Sequence, residues 1–271
     1  MYALLKNFSK LPLRFIQNLA KSVGSLLYIT NSSIRRTTEI NLGIAYPELS
    51  ASERTRLAKR SVQSQCMTYA ESVKIWGSEP EFALKQIRNI HHPEIFTDAL
   101  KNPNGTLAVV PHFGTWELLN AWVNQHTSPV IMYKPSKNPD VDRFMLEARQ
   151  RLNATLVPTD ETGVRALFKH LKQGGFAAIL PDHVPKESGG IYSPFYGQNA
   201  LSSTLLSKLA AKTQCSVIGL SCLRHEDLDG FDIHVTELSI DILSKDLQLS
   251  VDTLNKEMER MINIAPEQYL W

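Results

Sequence analysis

Between residues 107 and 223, short apolar runs alternate with stretches of helical periodicity. No other feature restricts the possible folds of this chain as strongly. The runs fall at 107–110, 130–133, 155–157, 176–180 and 216–223. Helical patterns lie between them, at about 115–126, 139–152, 161–173 and 203–213. Asn138 with Pro139 is a good helix start, a cap followed by proline at the first helical position. Gly174-Gly175 is a good helix end. Such alternation predicts an α/β fold with a largely parallel central sheet flanked by helices. Residues 231–238 alternate with period two, which predicts an antiparallel edge strand. One long helix is expected over 51–76, capped by Ser50 or Ser52, with Leu57, Val62, Met67, Tyr69, Val73 and Trp76 on apolar positions. Gly77 and Pro80 break it. A closing helix is expected over 246–264. There is no internal repeat and no low-complexity tract.

The 271 residues are 43% hydrophobic and 21% charged, enough for one large domain with a sizeable core. The net charge of +2 distinguishes no class of partner, and no nucleic-acid partner is expected. Cys66, Cys215 and Cys222 form no CxxC pair, so neither a zinc knuckle nor a disulfide framework is indicated. No uninterrupted apolar stretch is long enough to span a membrane, and no cleavable signal peptide is expected. The first 38 residues stand apart. They carry Lys6, Lys10, Arg14, Lys21, Arg35 and Arg36 and no acid. On a helical wheel Lys10, Arg14, Gln17, Asn18 and Lys21 take one side, and Leu11, Phe15, Leu19, Val23, Leu26 and Leu27 the other. A basic amphipathic helix of this kind suits an anionic membrane surface; the plain alternative is a helix packed on the domain with a solvated basic edge. The expected division is a membrane-associating helical segment over 1–38 and a second domain over 39–271.

In open α/β sheets, ligands sit beyond the carboxyl ends of the strands. Two runs end there with ionisable residues: "VVPHFGTWE" with His112 and Glu117, and "FAAILPDHVP" with Asp182 and His183. If these strands are neighbours, all four residues share one rim, within reach of Arg149 and Arg151 on an intervening helix. A neutral imidazole accepts a proton near pH 7, and a carboxylate can fix its tautomer and stabilise the imidazolium. A spacing of five does not stack His112 and Glu117 on one helix face. It requires His112 in the turn and Glu117 in the first helical turn, with Gly114 letting the chain fold back. The alternative is a capping histidine with a glutamate favoured by the helix dipole. "GLSCL" lacks the second glycine of a nucleophile elbow, so a serine hydrolase is not indicated. His112, Asp182, His183 and His225 lack close ligand spacing, so no metal is expected. With no protein nucleophile in view, direct attack by a substrate hydroxyl on an activated acyl carbon fits these residues.

"HFGTWE" has the HX4(D/E) pattern of membrane-associated glycerolipid-type acyltransferases. Further stretches narrow the likeness. "INLGIAYPELSASER", "KPSKNPDVDRFMLEARQRLNA", "LPDHVPKESGGIYSPFYGQNALSS" and "PEQYLW" run in the order of corresponding segments in the bacterial lipid A biosynthesis lauroyl/myristoyl acyltransferases, which the chain resembles from about residue 40 to 271. The resemblance implies transfer of a fatty acyl chain from acyl carrier protein to a hydroxyl of a lipid A precursor. It places the enzyme peripherally or monotopically at the cytoplasmic face of the cell inner membrane. It implies His112 as general base, Glu117 as its orienting partner and Arg149 as an active-site arginine, with no cofactor beyond the acyl-carrier co-substrate. Departures include the missing spanning helix, "PFYG" in place of a double phenylalanine, and Ser202-Ser203 where threonine is usual. Another lipid acceptor, such as an ornithine lipid, glycine lipid or glycolipid, is the nearest alternative; a non-catalytic lipid-binding relative is the next.

Within this resemblance Asp182 is a candidate for the active site. His183 stands where the family also accepts glutamine, so its titration is not required. Trp116 either packs in the core or lines an acyl groove. Gly189, Gly190 and Gly197 are expected to shape a loop beside the site, anchored by Phe195 and Tyr196.

Overall fold

Where the sequence alternates apolar runs with helical patterns, the computed structural model, which describes residues 1–271, alternates strands with helices. Four helices come first: α1 (Tyr2–Phe8), α2 (Leu13–Ile29), α3 (Ser33–Ala45) and α4 (Ala51–Trp76). Then follow α5 (Pro80–Lys85), β1 (Ile87–His91), α6 (Pro93–Ala99), β2 (Thr106–Val109), α7 (Trp116–Val123), β3 (Val130–Tyr133), α8 (Pro139–Gln150), β4 (Thr155–Pro158), α9 (Glu161–Lys172) and β5 (Phe176–Ile179). A hairpin of β6 (Gly190–Phe195) and β7 (Gln198–Ser203) precedes α10 (Leu205–Thr213), β8 (Ser216–Arg224), β9 (Phe231–Glu237) and α11 (Leu247–Ile262).

Seven strands form one sheet in the order β1-β9-β8-β2-β5-β3-β4. Strands β8, β2, β5, β3 and β4 are mutually parallel, so this is a mostly parallel α/β sheet. Every residue of β2 is buried, as expected of a strand covered on both faces. Leu107 and Val109 face a core shared with α9, α10 and α11, while Ala108 and Val110 face one shared with α6 and α7. Local signals agree with the helix starts: Ser50 and Glu53 form a capping box on α4, and the Asn138 side chain accepts from Asp140 N and Val141 N before α8.

Three parts of the fold depart from the periodicity reading. Strand β9 is antiparallel to β8, as expected, but it is not the edge. Strand β1 covers it in parallel register. The β1 sequence "IRNIH" is polar and exposed at its centre, so it carries no apolar-run signal. The β6–β7 hairpin turns through Tyr196 (φ 47°) and Gly197 (φ 71°), the pair of positive angles that a two-residue type I′ turn requires.

The third departure is on α2. It packs on α4 through Ile16, Gln17, Ala20, Gly24 and Tyr28. At Gly24 a Cβ would lie 2.6 Å from the Gln63 Cα, so glycine permits this close approach. The wheel assigned Gln17 to the polar side, yet it is buried, donating to Glu71 at 2.7 Å. Leu11, Phe15, Leu19, Val23 and Leu26 instead remain exposed, continued by Ile29, which is 73% exposed. No helix is long and apolar enough to cross a membrane.

Candidate active site

Strands β2 and β5 are adjacent and in register, with Val109 opposite Ile179. The segments leaving their carboxyl ends therefore emerge side by side, which brings His112 to Asp182. The His112 backbone N–H donates to Asp182 Oδ2 at 2.7 Å. His112 Nδ1 lies 2.8 Å from Asp182 Oδ1. The carboxylate accepts, so Nδ1 carries the proton and Nε2 is left as the acceptor nitrogen. Asp182 is almost fully buried, whereas the His112 side chain is 34% exposed. Burial is the largest influence on the imidazole and pushes its pKa down. The hydrogen bond and charge of Asp182, with the charge of Glu117 behind them, outweigh it, and the net displacement is upward. Tyr269 is buried beside the same carboxylate; burial first, and the Asp182 charge second, hold its hydroxyl well above the ordinary range.

The turn that carries His112 is clamped from both sides. Leu270 N donates to His112 O at 3.1 Å, and Gly114 N donates to Gln268 O at 2.9 Å. On the other side Thr115 N donates to Cys222 O at 2.7 Å. Gly114 has φ +67°, and a Cβ there would lie 2.1 Å from the Cys222 carbonyl oxygen. Both the left-handed backbone and the close approach require glycine.

Glu117 occupies the first turn of α7, as the spacing required, but its hydrogen bonds lead away from the imidazole. It accepts from Trp76 Nε1 at 2.9 Å, from Asn120 Nδ2 at 3.2 Å and from the Arg149 guanidinium at 3.2 Å. Glu117 and Arg149 are both largely buried, and Arg149 also lies over the Tyr133 ring, 5.2 Å from its centroid. The hydrogen bond to His112 expected from Glu117 is thus made by Asp182, because the β5 segment reaches the imidazole while the α7 turn points Glu117 at α8. Arg151 stays outside, donating to the carbonyls of Trp76 and Ser78 at the end of α4. His183 is exposed, with its Nδ1 3.1 Å from Leu180 O. The Trp116 indole meets the His112 ring edge to face, with centroids 5.1 Å apart.

A buried ion pair behind the turn escaped the sequence reading. The Arg224 guanidinium grips Glu71 through Nε at 2.5 Å and a terminal nitrogen at 2.7 Å. Arg224 also donates to Ser64 at 3.1 Å and to Thr68 at 3.0 Å. Thr115, at the N-terminus of α7, donates its hydroxyl to Glu71 at 2.7 Å. The available signal was weak. Glu71 is an acid among the buried positions of α4, and Arg224 is a base closing an apolar run.

The chain matches the family model of the bacterial lipid A biosynthesis acyltransferases over residues 1–271. It is similar to the lipid A biosynthesis lauroyltransferase of Escherichia coli (strain K12), at 25% identity over all of this chain and 83% of that protein. It is also similar to the palmitoleoyltransferase of the same organism, at 23% identity over 85% of this chain and 74% of that protein. A lipid A biosynthesis acyltransferase of Haemophilus influenzae aligns at 22% identity over 96% of this chain and 81% of that protein.

Proposed function

The chain belongs to the bacterial lipid A biosynthesis acyltransferase family, and from that membership we propose that it moves a fatty acyl chain from acyl carrier protein to a hydroxyl of a lipid A precursor, with His112 as general base. The observation that carries this reading is the bond of 2.8 Å between His112 Nδ1 and Asp182, which leaves Nε2 of a partly exposed ring free to accept a proton. In the proposed step, Nε2 takes the proton of the acceptor hydroxyl as its oxygen attacks the thioester carbonyl carbon. The tetrahedral intermediate then collapses, the C–S bond breaks, and the imidazolium returns the proton to the departing sulfur. The transfer draws on no metal or cofactor beyond the acyl-carrier co-substrate.

Asp182 is the positioning residue in this mechanism. It holds the tautomer and favours the imidazolium. Glu117 contributes its charge to the imidazole and, through Arg149, fixes the first turn of α7 against α8. Trp116 packs against the His112 ring and forms one wall of the acceptor approach. Gly114 supplies the turn. His183, exposed beside Asp182, belongs to the substrate-facing rim.

We further propose that residues 1–38 are the membrane-associating segment and residues 39–271 the catalytic domain, at the cytoplasmic face of the inner membrane. The support is the exposed stripe of Leu11, Phe15, Leu19, Val23, Leu26 and Ile29, with Lys10, Arg14 and Lys21 beside it. An interfacial helix buries such a stripe among acyl chains while each basic residue gains about 1 kcal/mol from anionic lipid.

The test is lipid mass spectrometry of cells with and without the protein, paired with purified protein, acyl-carrier thioester and lipid A precursor. One added acyl unit on lipid A is expected. His112→Ala should lower turnover by about 10²–10⁴ in protein that remains folded. A mass change confined to another lipid would reassign the acceptor, and wild-type turnover by His112→Ala would remove His112 from the chemistry.

A further inference from the structure

Half of the protein's eight histidines lie at one end of the sheet, where β1 meets β9: His91, His92, His225 and His234. The parallel register sets His91 opposite His234, and Asp232 lies two residues before His234. Residues two apart on a strand share a face, and neighbouring strands are about 4.8 Å apart. The backbone itself therefore converges these three side chains. Their opposite neighbours Phe231, Ile233 and Val235 fill the core on the other face, which fixes the register. One imidazole nitrogen from each histidine and a carboxylate oxygen of Asp232 lie within 4.8 Å of one another.

We infer that His91, Asp232 and His234 form a binding site for a divalent transition-metal ion such as zinc, which would tie β1 to β9. Two imidazoles and one carboxylate are a recurrent donor set for such ions, with a fourth position left for water. Tetrahedral zinc needs donors about 3.3 Å apart, so the three must close in. Side-chain torsions can supply this, because the His91 side chain is 43% exposed.

The surroundings resemble a ligand's outer support. His225 Nε2 lies 2.7 Å from Asp232 Oδ1, leaving Oδ2, 3.0 Å from His91 Nε2, on the side of the proposed ion. Asn89 donates to Oδ1 through its side chain at 2.9 Å. A carboxylate held in this way is already oriented for a metal. His234 takes no part in these hydrogen bonds and stacks on His91, with centroids 4.4 Å apart. Ser221, opposite His234 on β8, is buried with its hydroxyl unpartnered. The site is separate from the proposed chemistry: His112 and Asp182 follow β2 and β5, and β8 lies between β2 and β9.

The experiment is a zinc titration of the purified full chain after chelator treatment, followed by calorimetry and by thermal melting with and without zinc. One equivalent should bind, and zinc should raise the melting temperature. His91→Gln with His234→Gln should abolish both effects while melting like the wild type without zinc. His225→Ala, which removes an outer partner, should weaken binding about 10- to 100-fold. His112→Ala with His183→Ala should bind zinc unchanged. The inference is overturned if the wild type binds no zinc in molar excess. It is equally overturned if the double glutamine variant binds as well as the wild type, or if binding disappears with His112 and His183.

Discussion

At the residue scale, the informative contact is between a partly exposed imidazole and a buried carboxylate. As the proposed base, His112 must be unprotonated, so kcat/KM should fall as pH drops through its pKa. Asp182 raises that pKa by hydrogen bond and charge against the opposing effect of burial. Asp182→Asn removes the charge, and the acid limb of the pH profile should move to lower pH. The plateau should fall as well, because an asparagine can donate to Nδ1 and favour the wrong tautomer. A purely structural Asp182 would lower the plateau and leave the limb in place; the pH dependence of kcat/KM separates the two. Gly114 makes a second residue-scale prediction. Gly114→Ala forces an L side chain into φ +67° and against the Cys222 carbonyl. The left-handed backbone alone costs on the order of 1–3 kcal/mol, so the variant should unfold at clearly lower urea concentration than the wild type.

At the element scale, α2 does two things with two faces. Ile16, Gln17, Ala20, Gly24 and Tyr28 are buried on the side of α4, with Gly24 allowing the close approach, while Phe15, Leu19, Val23, Leu26 and Ile29 point outward. Substituting the outward face therefore separates the proposed membrane binding from folding. Phe15→Ser with Leu19→Ser should leave the melting temperature nearly unchanged, since both side chains are exposed. Binding to anionic vesicles should weaken at least tenfold, because losing about 1.5–3 kcal/mol of apolar burial per large side chain exceeds the 1.4 kcal/mol that a tenfold change requires. Vesicle co-sedimentation measures this directly. Equal binding by the variant would move the membrane contact to another surface. Deleting the helix is a poorer experiment, because it would also uncover α4 and strip Gln17 from Glu71.

At the scale of the whole molecule, the Glu71–Arg224 pair joins parts that are distant in sequence. It links α4 to β8, reaches α2 through Gln17 and the start of α7 through Thr115. The C-terminal residues close the same assembly. The Gln268 side chain exchanges hydrogen bonds with the backbone of Arg224, at 2.9 Å in each direction, and Leu270 holds His112 O. Removing one member of a buried ion pair leaves an uncompensated charge and costs about 3–5 kcal/mol. Arg224→Ala should therefore destabilise the whole chain by that order in denaturant unfolding. Turnover should also drop through the loosened Thr115 turn, although Arg224 touches neither His112 nor Asp182.

Local signals along the chain specify the class of fold. An apolar run such as 107–110, too short for a helix and bounded by turn residues, reads as a strand covered on both sides, and Asn138-Pro139 marks a helix start because both signals act on neighbouring residues. The sequence also placed His112, Glu117, Asp182 and His183 at strand ends, where sites in such sheets are built. Tertiary structure decided which of them meet. Strand order is set by contacts between segments 70 residues apart in the chain, and that order put β5 beside β2 and hence Asp182, not Glu117, on the His112 ring. It also decided which face of α2 is covered, since a helical wheel records where apolar groups lie and not which side a neighbour occupies. The polar edge strand β1 and the buried pair of Glu71 with Arg224 were illegible for the same reason: their stability comes from partners supplied by distant segments, and no local pattern encodes those partners.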